Sequence, residues 1–333
     1  MVSLQTVQQS NARLATLPQG LVALFIGATS GIGQSALQHF AQHASSPRIY
    51  TVARPATVVS HENLLTSLRQ SNPTGTYNLI TADVSLVSEI DKVVNAISQK
   101  ETRVDILFMS AGFMAFEGRK DTREGLDPSM TTRYYSRLRA VQQLLPLLNN
   151  AAVPSPRVIS VLAGGMEGPL NEQDLDLRDA NNWSFWNSSV QSTTMGTLAL
   201  ERFARKNPRL NIVHWYPGPV ATPGLAKAGK FGMSPPNPMS QEEGGARALF
   251  LATSDRYTVP GGGGLVPKPD GLEVAKKSGG GIFLIDPLGE STDNEGLLAE
   301  WRKRGVDEAV WSFTQKVFAA CADQGTDSSK DEL

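Results

Sequence analysis

The sequence predicts an α/β fold built on a doubly wound parallel sheet, in a single domain with a C-terminal helical extension. Short apolar runs alternate with longer amphipathic stretches along most of the chain, and a glycine-rich turn follows the first run directly. This alternation is typical of parallel strands joined by crossover helices. The runs predicted as strands are 21–26, 48–53, 78–81, 104–109, 157–162, 211–216 and 282–285. The patterns predicted as helices are 32–43, 61–71, 86–99, 126–149, 187–206 and 240–254.

The length of 333 residues allows one large domain or two small ones, because domains usually run about 100–200 residues. The strand–helix alternation continues through residue 286, which favours one main domain. Before the last predicted strand, a segment with a glycine repeat and two prolines predicts an exposed insertion near the end of this domain. The expected segments are a flexible tail at 1–19, the domain at 20–290 with the insertion at about 255–279, a C-terminal helix at 291–325 and a second flexible tail at 326–333.

The composition excludes several classes of function. Lys and Arg total 31 and Asp and Glu total 32, and this balance argues against a nucleic-acid binder, which carries a basic surplus. Cys321 is the only cysteine, so no intramolecular disulfide can form and a Cys-based zinc site is implausible. His39 and His43 stand four apart with no acidic residue between them, and we read them as one face of a helix. We therefore expect no metal.

No run approaches the roughly 20 apolar residues that a membrane span needs. The first apolar run, 21–26, is too short for a signal-peptide core, so we expect a cytoplasmic protein without a membrane span. The last four residues, Lys330 to Leu333, match an ER-retention signal. Without a signal peptide to bring the chain into the lumen, we interpret them as a solvated acidic tail.

The turn after the first predicted strand has the spacing of a dinucleotide-binding turn in a Rossmann-type fold. Gly27 permits the tight turn, Gly31 lets the backbone approach a pyrophosphate, and Gly33 lets helix and strand pack closely. Ser30 and Ile32 lie in the same turn, at the start of a helix whose free N–H groups and dipole suit phosphates. The turn predicts a dinucleotide as cofactor.

The end of the second predicted strand indicates which dinucleotide. NAD-binding versions of the fold place an acid there for the ribose diol, whereas this strand ends with Ala53 and Arg54. A guanidinium can pair with a 2′-phosphate in a bidentate geometry. We therefore predict NADP(H) rather than NAD; otherwise Arg54 is an ordinary surface arginine.

Four motifs in order resemble the short-chain dehydrogenase/reductase family over residues 20–255 and 280–286. By this resemblance, Asp83 contacts the adenine, and the turns after the fourth and sixth strands meet the nicotinamide end of the cofactor. Residues 157–161 correspond to the fifth strand of the family. The cofactor-site residues that the resemblance implies are Asp83, Ser110, Ala111, Gly112, Pro217, Gly218, Val220 and Thr222, with serine at 110 where the family has asparagine.

The catalytic residues of the family are absent. Its chemistry uses a Tyr-x-x-x-Lys pair in which the tyrosine exchanges a proton with the substrate and the lysine lowers the tyrosine pKa. No tyrosine here is followed four residues later by lysine. The pair maps to Ser189 and Thr193, the family's serine to Ala163, and its asparagine to Arg133.

The remaining side chains near the expected pocket provide candidates for catalysis. Arg133 is predicted either to orient a polar substrate group or to form a helix-surface salt bridge. Tyr134 and Tyr135 are predicted to face different sides of their helix, so that one donates a proton and the other packs, or both pack in the core. The other candidates are Glu167 and His214, together with Trp183 and Trp186, which either line a large apolar substrate site or plug the start of a helix.

Three functions fit these observations. The first is an NADP(H)-dependent reductase with an atypical active site, acting on a small organic metabolite. The second is a non-redox cyclase, isomerase or dehydratase on the same scaffold, and the third is a catalytically inactive nucleotide-binding protein. Resemblance to divergent fungal members of the family implies a role in secondary-metabolite biosynthesis. It also implies a homodimer through the helices at 126–149 and from about 187, whose apolar stripes alternatively face the sheet.

Overall fold

The computed structural model describes residues 1–16, 19–153, 155–259 and 265–327. Its central sheet has seven parallel strands in the order β3-β2-β1-β4-β5-β6-β7. This confirms the predicted Rossmann-type sheet. The strands are β1 (Val22–Ile26), β2 (Arg48–Ala53), β3 (Thr76–Thr81), β4 (Ile106–Met109), β5 (Arg157–Val161), β6 (Asn211–Trp215) and β7 (Phe283–Ile285).

The strand order reverses direction between β1 and β4. Ile26 at the end of β1 pairs with Val52 on one side and with Met109 on the other, so these strands end at one level. In a doubly wound sheet the crevice beyond the carboxyl ends of the strands, at such a switch point, is where ligands bind. The register therefore brings the turns after β1, β2 and β4 to one edge.

Helices cover both faces of the sheet and bury two apolar clusters. One cluster joins the sheet to α1, α2, α3 and α9, and the other joins it to α4, α6, α7, α10 and α11. The α-helices are α1 (Leu4–Ala12), α2 (Gly31–His43), α3 (Val58–Ser71), α4 (Val87–Ser98), α5 (Pro128–Met130), α6 (Ser136–Asn149), α7 (Phe185–Lys206), α8 (Pro223–Gly229), α9 (Gln241–Thr253), α10 (Glu295–Lys303) and α11 (Val306–Asp327). A π-helical turn, Thr131–Tyr135, joins α5 to α6.

The expectation of a flexible tail over residues 1–19 is wrong for the segment that forms α1 and the following 3-10 turn, Arg13–Thr16. Val2 and Val7 are fully buried, and the Asn11 side chain donates a 2.8 Å hydrogen bond to the carbonyl of Ala246 in α9. The polar composition hid this packing, because only a few apolar residues anchor the helix.

The predicted C-terminal helix is two helices. Gly305, with φ of +72°, separates α10 from α11 because that left-handed conformation favours glycine. From there α11 crosses the outer surface of α4, α6 and α7. The Thr314 and Tyr134 hydroxyls lie 2.6 Å apart, and the Arg139 guanidinium lies over the Phe318 ring. Residues 328–333, including the tetrapeptide at 330–333, lie outside the described residues.

The predicted insertion at 255–279 is not exposed throughout. Tyr257 and Val266 are fully buried, and the buried Arg157 guanidinium of β5 donates to the carbonyls of Ser254 and Tyr257. This segment therefore packs against the sheet, where the sequence predicted only a surface loop. Gly261–Gly264 lie outside the described residues.

In the described part of the chain, no helix is long and apolar enough to cross a membrane. The same residues contain no group of three or more His, Cys, Asp or Glu side chains placed to hold a metal ion.

Candidate active site

The glycine turn after β1 packs against the turn after β4. Gly27 has a φ of +104°, and a Cβ there would lie 2.2 Å from the Ala111 nitrogen. A Cβ on Gly33 would lie 2.3 Å from the Ser110 hydroxyl, which itself donates a 3.1 Å hydrogen bond to the Gly27 carbonyl. Side chains at these glycines would therefore separate the two turns that border the switch point.

Helix α2 starts at this turn without a side-chain cap. Its N-cap residue, Ser30, makes no capping hydrogen bond, whereas Ser184 caps α7 and Ser240 caps α9. The N–H groups of the first turn of a helix have no partner inside that helix, so at α2 they are free for an external acceptor. An uncapped helix start beside a glycine turn fits a phosphate.

Two predicted cofactor residues follow the second and third strands. Arg54 is exposed directly after β2, and in the described part of the chain its guanidinium forms no ion pair. Asp83 follows β3 and accepts a 3.0 Å hydrogen bond from the Ser85 nitrogen, which holds its carboxylate in a local turn. The positive end group of Arg54 is thus free at the edge where a ribose 2′-phosphate would lie.

The remaining residues predicted to bind the cofactor lie at the same edge. Gly31, with φ of +63°, faces Thr222, since a Cβ there would be 3.3 Å from the Thr222 methyl group. Ile32 and Val220 both flank Gly244 at the start of α9. Gly218, after Pro217, has a φ of +66°, and Thr222 caps α8 by accepting from the Leu225 nitrogen. Gly112 lies beside Arg133, because a Cβ on Gly112 would be 3.6 Å from Cγ of Arg133.

Arg133 lies in the π-helical turn, with only 6% of its surface exposed. Its guanidinium donates to the Ser189 hydroxyl at 3.0 Å and to the Phe113 carbonyl at 2.8 Å. Desolvation lowers the pKa of Arg133 to about 10, although Asp127 opposes the shift. No carboxylate pairs with it within the described ranges, so the surface salt bridge considered for this residue is not what the structure has.

Arg137, one turn further along, was missed by the sequence reasoning. It is buried and donates to the carbonyls of Thr132, Ala111 and Val161 and to the Ser160 hydroxyl. Burial, and then the charge of Arg133, lower the pKa of Arg137 to about 9. The spacing of four between the two arginines on one helix was the available signal. Arg137 ties the ends of β4 and β5 together beside Arg133.

Tyr134 and Tyr135 both pack in the core, which is the second of the two interpretations given for them. The Tyr134 hydroxyl pairs with Thr314 of α11, and the Tyr135 hydroxyl donates to Asp176 at 2.8 Å. Burial raises the pKa of both phenols, and for Tyr135 the charge of Asp176 raises it further. Fully buried and already hydrogen-bonded, neither phenol is placed to donate a proton to a substrate.

The residues that the mapping assigns to the family's catalytic pair carry hydroxyls that bond to their own helix. Ser189 donates to the Phe185 carbonyl at 2.7 Å, and Thr193 donates to the Ser189 carbonyl at 2.8 Å. Arg133 reaches the first of these hydroxyls from the neighbouring helix. The structure thus brings together two residues, 56 positions apart, that the mapping assigned to the family's asparagine and tyrosine.

Glu167, Thr197 and His214 form a buried hydrogen-bonded chain. The Thr197 oxygen lies 2.6 Å from Glu167 Oε1 and 2.8 Å from His214 Nδ1, and His214 Nε2 lies 3.4 Å from the Ala163 nitrogen. A carboxylate only accepts, so Thr197 donates to it and accepts from the Nδ1–H of His214, which leaves Nε2 to accept from Ala163. Burial, and then Arg137, lower the pKa of His214 to about 3.

The two candidate tryptophans lie in different environments. Trp183 is partly buried against the core with the Arg119 guanidinium 5.7 Å from its ring centre, which fits the plug interpretation. Trp186 is 67% exposed and its ring meets Phe185 at 5.0 Å.

Comparisons with known proteins agree with this architecture. The short chain dehydrogenase family profile matches residues 21–171. The NmrA-like family domain-containing oxidoreductase notO of Aspergillus sp. (strain MF297-2) is similar at 70% identity over the full length of both chains. Oxidoreductase AN1596 of Emericella nidulans is 39% identical over 95% of this chain and 98% of its own. Short-chain dehydrogenase/reductase SAT2 of Stachybotrys chartarum is 32% identical over 94% and 96%.

Solved structures share the fold at lower identity. A short-chain dehydrogenase/reductase from Serratia marcescens aligns with a TM-score of 0.53 at 21% identity, covering 70% of this chain and 91% of its own. L-Sorbose reductase from Gluconobacter frateurii, complexed with NADPH and L-sorbose, aligns at 0.52 with 17% identity, covering 70% and 90%. The relatives that are 32–70% identical over nearly the whole chain show that it belongs to the short-chain dehydrogenase/reductase family of oxidoreductases.

Proposed function

We propose that the chain is an NADP(H)-dependent reductase of a small organic metabolite in secondary-metabolite biosynthesis, with an atypical active site centred on Arg133. The observation that carries the proposal is a division within one site. The half that would hold the dinucleotide keeps its glycines and an uncapped helix start, while the half that would perform proton transfer carries Arg133, Ser189 and Thr193. The fungal oxidoreductases named above support the metabolic setting.

The cofactor assignment rests on charge and space. Gly27 and Gly33 keep the turn tight against Ser110 and Ala111, and the first turn of α2 offers unpaired N–H groups to phosphate. Arg54 would pair with the 2′-phosphate. NADPH, when bound, supplies a hydride to the substrate.

Arg133 would stabilise the charge that develops on the substrate. A guanidinium has five N–H donors, and the bonds to Ser189 and Phe113 leave others free. Hydride addition to a carbonyl carbon leaves the electron pair of the broken C=O π bond on oxygen, and a donor aimed at that oxygen lowers the barrier. A proton from water then completes the alcohol, so no tyrosine is required.

The test is isotope transfer from the cofactor. NADPH deuterated at the transferable position is incubated with the chain and a panel of ketones, enones and iminium ions, and products are analysed by mass spectrometry. We expect one deuterium in the product of at least one carbonyl or iminium acceptor. Saturable NADPH binding with isomerised, cyclised or dehydrated products free of deuterium would favour the non-redox alternative, which the lack of a usual proton donor also fits. Absence of NADPH binding would contradict the proposal.

A further inference from the structure

Aromatic side chains from three separate segments meet beside Arg133. The Phe116 ring lies between the rings of Phe185 and Phe231, with centroids 4.6 Å away on either side. Trp186 packs edge-on against Phe185 at 5.0 Å. We call this group, together with Phe113 in the same loop as Phe116, the aromatic rim: Phe113, Phe116, Phe185, Trp186 and Phe231.

The rim is open to solvent. Phe113, Trp186 and Phe231 are 47%, 67% and 56% exposed, and they are the strongly exposed aromatic side chains of residues 1–16, 19–153, 155–259 and 265–327. Water-exposed aromatic area carries a hydrophobic cost, and a contiguous exposed apolar patch is typical of a binding site. In the described chain, this exposure therefore falls on Trp186 and Phe231 of the contacting rings and on Phe113 of the loop that carries Phe116.

The rim is continuous with the proposed reactive centre. The Arg133 guanidinium lies 5.5 Å from the centre of the Phe185 ring and donates to the Phe113 carbonyl. On the opposite side, α8 begins at its cap Thr222, which faces the glycine turn, and ends just before Phe231. A molecule with its reacting atom at Arg133 would extend directly over these rings.

We infer that the substrate carries a flat, extended aromatic ring system that stacks on the rim while its reducible group meets Arg133. This rests on the proposed function and names its substrate class. Aromatic rings attract each other in stacked and edge-to-face arrangements beyond the effect of buried area. Aliphatic side chains would cover an aliphatic substrate equally well, whereas this surface offers four aromatic rings in mutual contact, with Phe113 in the same loop.

The preference can be measured without turnover. 2-Acetylnaphthalene and its fully hydrogenated counterpart, 2-acetyldecahydronaphthalene, have the same carbon skeleton and differ in aromaticity. Each is titrated by calorimetry into the full chain in the presence of excess NADP⁺. The variants are Phe185→Leu and Phe231→Leu, with Phe313→Leu on α11, remote from the rim, as the matched control. Circular dichroism melting checks that each variant is folded.

We expect the naphthyl ketone to bind about tenfold more tightly than the saturated ketone. An aromatic pair contributes about 0.5–1.5 kcal/mol, or about two- to tenfold in affinity, so each rim variant should weaken naphthyl binding by that factor. Phe313→Leu should leave it unchanged. Equal affinities for the two ketones, rim variants that bind as the wild type does, or no binding of either ketone would each overturn the inference.

The outcome is separable from that of the proposed function. Reduction of both ketones with equal affinities would leave the reductase standing and remove the aromatic preference. Selective binding of the naphthyl ketone without deuterium transfer would retain the aromatic site and remove the reductase.

Discussion

Arg133 donates a 3.0 Å hydrogen bond to the hydroxyl of Ser189. The sequence mapping assigns these two residues to the positions of the family's asparagine and tyrosine. A buried cation therefore lies beside the residue that the mapping assigns to the family's tyrosine. The cation is desolvated, and the carbonyl of Phe113 and the hydroxyl of Ser189 hold it in place. Under the proposed function, its remaining donors would stabilise developing charge, and no phenol would be needed to donate a proton.

Replacing Arg133 should reduce turnover more than stability. Arg133→Ala is expected to lower kcat/KM at least tenfold, about 1.4 kcal/mol, because it removes donors that act on the developing oxyanion. The melting temperature should fall only modestly, because the loss of two hydrogen bonds is offset by removing a desolvated cation that no carboxylate pairs with in the described ranges. Steady-state kinetics with NADPH and a reduced substrate measure the effect.

Two control variants accompany that measurement. Arg123→Ala removes an arginine whose side chain is 68% exposed and should change neither property. Arg133→Lys, which keeps the charge but not the fork of donors, should recover only part of the activity. Full activity in a stable Arg133→Ala protein would remove this residue from the mechanism.

Alanine substitutions at Gly33 in the glycine turn and at Gly196 in α7 should have opposite effects on the free energy of unfolding. Gly33→Ala would place a Cβ 2.3 Å from the Ser110 hydroxyl and 2.4 Å from the Gly27 carbonyl oxygen, and such overpacking costs about 1–3 kcal/mol. Gly196→Ala, in α7, meets nothing within 4 Å and should raise the free energy of unfolding by up to about 1 kcal/mol. Urea denaturation measures both. Equal stability of the two variants would show that the turns after β1 and β4 are not in close contact.

His214 should make stability depend on pH. Its pKa is lowered to about 3 in the folded chain, from about 6.5 in the unfolded chain. Between these pH values the unfolded chain binds a proton at His214 and the folded chain does not. Stability from this group is present above pH 6.5 and is lost as the pH falls toward 3. Protonation of His214 at Nε2 would also break its hydrogen bond with Ala163, because both nitrogens would then be donors.

Between pH 7.5 and 5 the loss from His214 should be about 2 kcal/mol, and His214→Gln should lack it. Urea midpoints of the two proteins across this range isolate the effect, because His43 and His61 titrate alike in both. Parallel pH profiles would mean that His214 accepts a proton in the folded protein.

The C-terminal helix should determine the oligomeric state. In α11, Thr314, Trp311 and Phe318 contact Tyr134, Phe203 and Arg139, on the surface of α6 and α7 through which the family resemblance implied a homodimer. With that surface covered by the chain's own helix, we expect a monomer of 35.8 kDa in light scattering. Twice that mass at micromolar concentration would show that another face associates or that α11 moves.

The strands of the sheet could be predicted from the sequence, because parallel strands are buried on both faces and appear as continuous apolar runs. Each predicted strand lies within two residues of its observed bounds, and the glycine turn was recognisable from Gly27, Gly31 and Gly33 because their spacing is local. The mapping of Arg133 came from the register of the run at 144–148, and that of Ser189 from counting back along the helix at 196–204; both stay predictions.

Other features depend on contacts that the sequence does not display. Thr314 meets Tyr134 across 180 positions, and this contact decides that Tyr134 is a packing residue. The hydrogen-bonded chain of Glu167, Thr197 and His214 joins three elements, and no local pattern marks it. The helix α1 was missed because its helical residues are mostly polar, and its stability comes from tertiary packing against α9.

The most direct test of the account is a fluorescence titration of the full chain with NADPH and with NADH, repeated for Arg54→Ala. A bidentate contact between a guanidinium and a phosphate contributes about 1.5–3 kcal/mol, or about ten- to a hundredfold in affinity. We predict saturable binding, with NADPH at least tenfold tighter than NADH, and loss of that preference in Arg54→Ala with NADH binding nearly unchanged. Equal affinity of the wild-type chain for the two cofactors, or no saturable binding of either, would contradict it.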